Sequence, residues 1–414
     1  MKYGLVGEKL SHSFSKEIHE KIGLYEYELC EVAKEDFDFF ADKKDFTGIN
    51  ITIPYKQSII PHLYFISDKA KAIGAVNVAI NKDGKLYGYN TDFEGLRSLI
   101  LREGFDFFGK TVLILGTGGT SKTARAVAED LGALNIVNVS RRESAGAVTF
   151  GEAVLKYSDA DFIINTTPSG MYHETENIPY DMDLSAFASL SGVIDVIYNP
   201  ISTKLVNSAR KLGIPAVGGL YMLVSQAVAA AELFTGEKLG KEVCEKIYRE
   251  LLSEKENIVL IGMPGSGKST VGALLSERLG KAFYDTDEEL SKKTGNISEY
   301  INKNGEAAFR KAESETIKEL AGNTTGAVIS TGGGAVLKYE NVEALRRNGR
   351  IYFIDRDISL ITPTKSRPLS SNREKLQKLY NERYEIYLSS CDKRIENNGS
   401  PEECADKITE DIGK

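Results

Sequence analysis

Ile258-Val259-Leu260-Ile261-Gly262-Met263-Pro264-Gly265-Ser266-Gly267-Lys268-Ser269-Thr270 joins an apolar run to a glycine-rich turn, and the turn to a lysine and two hydroxyl residues. The apolar run predicts a buried strand, and the residues after Lys268 predict a helix. Between strand and helix, the glycines let backbone N–H groups close round phosphates, while Lys268 reaches the β and γ oxygens and Ser269 ligates Mg²⁺. Gly262, Gly265, Ser266, Gly267, Lys268, Ser269 and Thr270 are therefore the expected ATP-binding residues.

Outward from this loop, short apolar runs alternate with amphipathic stretches over most of the chain, the pattern of an α/β fold with largely parallel sheets. Upstream strands are expected at Tyr3–Val6, Gly48–Ile53, Val112–Leu115, Ile136–Val139, Phe162–Asn165 and Val193–Val196, with helices at Tyr221–Leu233 and Lys241–Ser253. The charged run Glu254-Lys255-Glu256-Asn257 precedes the new strand at Ile258, which predicts a domain boundary near residue 255 and two independently folded parts. The first part divides again, into a lobe of residues 1–100 closed by 218–250, and a second lobe of residues 101–217.

The chain has 414 residues, 42% of them hydrophobic and 27% charged, which suits several globular domains and argues against disorder. A net charge of −7, with no long basic run, argues against a nucleic-acid partner. Cys30, Cys244, Cys391 and Cys404 are scattered, so neither a disulfide framework nor a zinc cluster is expected. Met1–Gly7 is too short for a signal peptide, and no apolar run approaches the roughly 20 residues needed to span a bilayer, so a cytoplasmic protein with no membrane partner is expected.

A second glycine loop lies upstream. Val112-Leu113-Ile114-Leu115 runs into Gly116-Thr117-Gly118-Gly119-Thr120-Ser121 and then a helix, the context of a dinucleotide fold, with Ser121 in place of the third glycine. The next strand ends in Ser140-Arg141-Arg142 where NAD sites carry an acid, and guanidinium groups there suit the 2′-phosphate of NADP. The expected NADP(H) residues are Gly116, Gly118, Gly119, Thr120, Ser140, Arg141, Arg142 and Gly219.

Ser11-His12-Ser13-Phe14-Ser15-Lys16, Asn50-Ile51-Thr52-Ile53-Pro54-Tyr55-Lys56, Gly74-Ala75-Val76-Asn77 and Gly88-Tyr89-Asn90-Thr91-Asp92 would each pass singly for structural segments. In this order, with Asn165–Met171, Asp195–Pro200 and Gly219–Gln226, they resemble the substrate signature of shikimate dehydrogenase over about residues 1–250. The resemblance implies that Ser13, Ser15, Thr52, Asn77, Asp92, Tyr198 and Gln226 hold shikimate or 3-dehydroshikimate, and that Lys56 and Asp92 form the catalytic pair. Ketone reduction leaves negative charge on oxygen, and Lys56 beside a carboxylate is suited to protonate it. Glu8-Lys9-Leu10 departs from the residues usual before the paired serines.

Downstream of the P-loop, Phe283-Tyr284-Asp285-Thr286-Asp287 reads as a strand ending in two carboxylates. Arg310 with Glu313 one turn on, Ser330-Thr331-Gly332-Gly333-Gly334, Ser366-Arg367-Pro368-Leu369, and Arg383 with Tyr387 follow. This ordered set resembles shikimate kinase over residues 257–414. The resemblance implies that Arg310, Arg383, Gly332 and Gly333 hold the substrate carboxylate and that Asp287 contacts the acceptor hydroxyl as base. It further implies that Asp285 joins Ser269 at Mg²⁺ and that Arg367 reaches ATP from a lid. The lid is short, and the arginine usual before Pro401 is missing.

The sequence thus predicts a two-lobed dehydrogenase with a Rossmann-like NADP lobe, followed by a P-loop α/β/α kinase with a parallel sheet, the product of one serving as acceptor of the other. Its partners would be small-molecule substrates, with a homo-oligomer left open. An NAD-dependent quinate/shikimate dehydrogenase is one rival, opposed by Arg141. A non-catalytic ligand sensor is another, opposed by the presence of Lys56, Asp92, Lys268 and Asp287.

Overall fold

Three sheets organise the computed structural model, which describes residues 1–10, 13–142, 146–172, 174–362 and 372–413. Contacts divide the chain into two units, Met1–Leu251 and Leu252–Lys414. The first unit holds two of the sheets.

In its first lobe the strands β1 (Tyr3–Gly7), β2 (Tyr27–Glu31), β3 (Gly48–Ile51), β4 (Phe65–Ile66), β5 (Val78–Lys82) and β6 (Lys85–Tyr89) lie in the order β2-β1-β3-β5-β6-β4. This sheet is mixed rather than largely parallel, because β5 runs antiparallel to both β3 and β6. The cause is local: Asp83 and Gly84 both take positive φ, 52° and 77°, and form the two-residue turn that joins antiparallel strands. The strand expected over Gly48–Ile53 stops at Ile51, where Tyr55 N–H bonds Thr52 O at 2.9 Å and turns the chain.

In the second lobe β7 (Thr111–Leu115), β8 (Asn135–Ser140), β9 (Ala147–Thr149), β10 (Phe162–Asn165), β11 (Gly192–Asp195) and β12 (Ala216–Val217) form an all-parallel sheet, ordered β12-β11-β10-β7-β8-β9. Its central strands are buried on both faces, which is why they read as unbroken apolar runs. The helix Leu220–Thr235 packs beside Asp92–Arg102 at very short range. A Cβ at Gly95 would lie 2.6 Å from Met222 O, so only glycine allows this approach.

In the second unit β13 (Asn257–Ile261), β14 (Phe283–Asp285), β15 (Val328–Ser330), β16 (Gly349–Asp355) and β17 (Lys393–Glu396) form a parallel sheet, ordered β14-β15-β13-β16-β17. The strand read through Asp287 ends at Asp285 instead. The Asp285 carboxylate accepts from Asp287 N–H at 3.0 Å and caps the helix Thr286–Thr294, so Asp287 stands in a helical first turn. The charged junction is also more ordered than a linker. The helix Gly240–Lys255 runs to within one residue of β13, its last carbonyls met by Lys281 Nζ (2.7 Å to Ser253 O) and Gly326 N–H (2.9 Å to Lys255 O). Among the described residues no helix is long and apolar enough to cross a membrane.

Candidate active sites

The first site grows from the turn after β3. The buried Tyr55 donates its hydroxyl to Val32 O, and Val76 N–H donates to Lys56 O at 2.8 Å, so the backbone at Lys56 is held from both sides. Its Nζ donates to Asp92 Oδ2 at 2.6 Å. Asp92 opens the helix Asp92–Arg102, a position that favours negative charge. Asn77 Nδ2 donates to the other oxygen, Asp92 Oδ1, at 2.9 Å, and to Thr91 Oγ1 at 3.0 Å, while Thr91 N–H returns a bond to Asn77 Oδ1 at 2.7 Å. With 24% of the Lys56 side chain and 13% of the Asp92 side chain exposed, the pair is only partly shielded and open to a substrate.

A second group forms at the start of the helix Ser15–Ile22. Ser13 Oγ donates to Ser15 Oγ at 3.1 Å, and Tyr198 is partnered by Ser13 and packs its ring 5.3 Å from Phe14. Burial raises the Tyr198 hydroxyl's pKa, so it stays protonated as a donor. Thr52 N–H pairs with Val6 O at 2.9 Å, and Gln226 Nε2 bonds Leu223 O at 2.8 Å on the helix beside Gly95.

The glycine loop after β7 is shaped by its neighbours. Gly116 has φ 114°, and a Cβ there would lie 2.8 Å from Thr166 Oγ1. Nothing lies within 4 Å of a Cβ built on Gly118 or Gly119, so the mouth of the Gly119–Asp130 helix, where Thr120 also sits, is clear. Ser121 fits where a third glycine is usual because its buried hydroxyl turns back to Gly118 O at 2.8 Å. Arg141 and Arg142 are exposed at the end of β8, and the Ser140 hydroxyl bonds Arg142 O. Gly219 packs on Val196, where a Cβ would sit 2.1 Å from its carbonyl oxygen.

Beneath this lobe's Asn165 and Asp195 segments lies a network that residue types alone did not flag as more than a motif. Asp195 Oδ1 accepts from Asn165 Nδ2 at 2.9 Å and Ile197 N–H at 3.1 Å, and Oδ2 from Thr203 Oγ1 at 2.7 Å. Complete burial pushes its carboxyl up to about 7 despite these three donors.

The P-loop site is built likewise. Gly262, Gly265 and Gly267 take φ of 147°, 83° and 97°, values that favour glycine. Lys268 Nζ lies 3.0 Å from both Gly262 O and Met263 O, and Ser269 Oγ donates to Asp285 Oδ2 at 2.7 Å. Thr270 follows on the same first turn of the Lys268–Leu279 helix. Ser269 and Asp285 offer the hydroxyl and carboxylate oxygens that Mg²⁺ accepts when phosphates and water supply its remaining ligands.

Across the site, Arg310 Nη1 donates to the buried Glu313 Oε2 at 2.8 Å, and the Arg310 guanidinium lies where a Cβ on Gly334 would go, 2.1 Å from Nη1. Arg383 Nη1 (3.0 Å) and Tyr387 Oη (2.5 Å) both donate to Gly333 O. Gly332 faces the Asp287 carboxylate, whose Oδ1 would be 2.6 Å from an added Cβ. Asp287 is open to solvent along one side. Burial of its carboxyl, with the charges of Asp285 and Glu313 beside it, pushes it up to about 6 against the pull of Lys268 and Arg310. Arg367 lies outside the described residues.

The structure thus gathers Lys56, Asp92 and Asn77 into one hydrogen-bonded group and Ser13, Ser15 and Tyr198 into another. It brings Asp287 to Gly332 and Arg383 to Gly333. Glu313 was read beside Arg310, whereas Thr91, which supports Asn77, was missed. The Asn-Thr-Asp run before a helix was the available signal.

Comparison with known proteins relates the two parts of the chain to two enzyme families. A family model for the shikimate dehydrogenase substrate binding domain matches residues 5–79, and one for shikimate kinase matches residues 264–413. The NADP(+) shikimate dehydrogenase of Clostridium perfringens is 37% identical over 280 residues, covering 60% of this chain and 97% of the relative. That of Caldanaerobacter subterraneus is 34% identical over 277 residues, covering 60% and 97%. Shikimate dehydrogenase 1 of Peptoclostridium difficile superposes with TM-score 0.56 at 36% identity, covering 61% of this chain and 98% of that one. A chorismate mutase/shikimate 5-dehydrogenase fusion protein of Clostridium acetobutylicum superposes with TM-score 0.57 at 36% identity, covering 60% and 96%. With a dehydrogenase relative matched almost end to end and a kinase model filling the remainder, this chain belongs to the shikimate dehydrogenase family and carries a shikimate kinase domain behind it.

Proposed function

We propose that the chain is a cytoplasmic bifunctional enzyme that reduces 3-dehydroshikimate to shikimate with NADPH and then phosphorylates shikimate with Mg-ATP to shikimate 3-phosphate. The observation that carries the first half is the chain of bonds from Asn77 through Asp92 to Lys56 Nζ. NADPH supplies the hydride. The Lys56 ammonium gives a proton to the ketone oxygen as charge develops there, and Asp92, fixed through both oxygens, aims that ammonium. The hydroxyls of Ser13, Ser15, Thr52 and Tyr198 and the amides of Asn77 and Gln226 orient the ring, which is bound by residues 1–100 with 218–250. The 101–217 lobe binds NADPH, with Arg141 and Arg142 at the 2′-phosphate.

In the second half, residues 255–414, Arg310 and Arg383 hold the shikimate carboxylate with their forked donors, beside Gly332 and Gly333. Asp287 accepts the proton of the hydroxyl being phosphorylated. Ser269 and Asp285 would hold Mg²⁺, which would offset phosphate charge. Lys268 leaves the carbonyls of Gly262 and Met263 to reach the phosphates, and Arg367 completes the site from the lid.

The test is one assay of the intact chain with 3-dehydroshikimate, NADPH and Mg-ATP. NADPH oxidation and ADP release should proceed together, and omission of ATP should leave shikimate as the end product. NADPH oxidation at the uncatalysed rate, or ADP release indifferent to shikimate, would end this reading.

A further inference from the structure

The loop that binds phosphates is tied to a strand that lies two positions away in the sheet. Asn397, which follows β17 and is 1% exposed, donates from Nδ2 to Ser266 O at 2.7 Å. Its own N–H is fixed by Asp355 O at 2.7 Å. A Cβ on Gly267 would lie 2.6 Å from the same Nδ2, so the amide sits directly against the Ser266–Gly267 peptide. Asn397 Oδ1 has no hydrogen-bond partner among the described residues, so the amide acts on the loop as a donor only.

A planar trans peptide points its C=O and N–H in opposite directions. Holding the Ser266 carbonyl towards Asn397 therefore holds the Gly267 N–H towards the other side of the loop, where phosphates bind. Peptide planes next to glycine rotate most readily, because glycine tolerates the conformations on both sides of the flip. A flipped Ser266–Gly267 peptide would remove one donor from the phosphate cradle and aim a carbonyl oxygen at an anion. We infer that Asn397 is a positioning residue for the nucleotide: its amide locks this peptide plane so that the Gly267 N–H faces the β-phosphate. The inference rests on the kinase reading above.

Isothermal titration of the full chain with Mg-ADP and with AMP tests it, using Asn397→Ala and Asn397→Asp. Loss of a hydrogen bond to a buried carbonyl predicts roughly tenfold weaker Mg-ADP binding for Asn397→Ala. Asn397→Asp should be worse than Asn397→Ala, since a carboxylate repels the Ser266 carbonyl and attracts the Gly267 N–H, favouring the flipped plane. AMP lacks the β-phosphate and should bind all three proteins alike, and KM for shikimate in the phosphorylation assay should not move. Unchanged Mg-ADP affinity, equal weakening of AMP, a milder effect from Asn397→Asp, or a raised KM for shikimate would each overturn the lock. If the unsubstituted chain fails to bind Mg-ADP, the kinase reading itself falls. Normal binding there with normal variants removes the lock alone.

Discussion

Asp287 links the electrostatics of the kinase site to a measurable pH dependence. Its carboxyl is raised from 3.8 to about 6, first by burial and then by Asp285 and Glu313. A base must be ionised to accept a proton, so phosphoryl transfer should rise as pH rises through this value and fail below it. A group with a pKa of about 6 is roughly one-tenth ionised at pH 5 and nine-tenths at pH 7. With Mg²⁺ in excess and both substrates well below their KM, the initial rate at pH 5 should therefore be about a tenth of its plateau. Glu313→Gln keeps an acceptor for Arg310 Nη1 but removes a negative neighbour, so the midpoint should fall. Asp287→Asn should abolish transfer at every pH while Mg-ATP still binds. A rate that stays level from pH 7 to pH 5, or a midpoint indifferent to Glu313→Gln, would refute the assignment of Asp287 as base.

Three further outcomes are expected. Lys56→Ala should lower kcat for ketone reduction on the order of a hundredfold, the usual range for a lost proton donor, with kinase activity unchanged. Arg141→Ala should weaken NADPH by about ten- to a hundredfold and leave NADH use nearly as it was, and equal losses would make Arg141 structural. Asp195, fully buried, is raised from 3.8 to about 7, so its contribution to stability is present at low pH and lost as pH rises towards 7. Between pH 5 and pH 8 that loss is about 2.5 kcal/mol. Asn can still accept from Asn165 and Ile197 while donating to Thr203, so urea unfolding of the dehydrogenase unit in Asp195→Asn should lack that part of the slope. Parallel pH curves for the two proteins would show that Asp195 stays ionised.

Both glycine loops were legible from residues alone, because a phosphate cradle at a helix N-terminus is built from consecutive residues. The adjacency of Arg310 and Glu313 was legible for the same reason, since residues three apart share a helix face. Local readings failed where two signals competed. An apolar run suggested that the strand reached Asp287, but the capping carboxylate of Asp285 started a helix first. The Asp83-Gly84 turn, two adjacent residues with positive φ, is the local signal that makes the first sheet mixed.

Other features exist only in the folded chain. The Lys56–Asp92 pair spans 36 residues, and the Asn397–Ser266 bond spans 131. The pKa of Asp287 depends on Glu313, brought to it from a different helix. No pattern of neighbours encodes such meetings, because they follow from the order of strands in a sheet and the depth at which each side chain is buried. What the sequence by itself determined here is the local chemistry, two phosphate-binding turns and the residue types around them. Tertiary structure decided which distant groups meet, and through burial and mutual charge it decided the protonation state in which they meet.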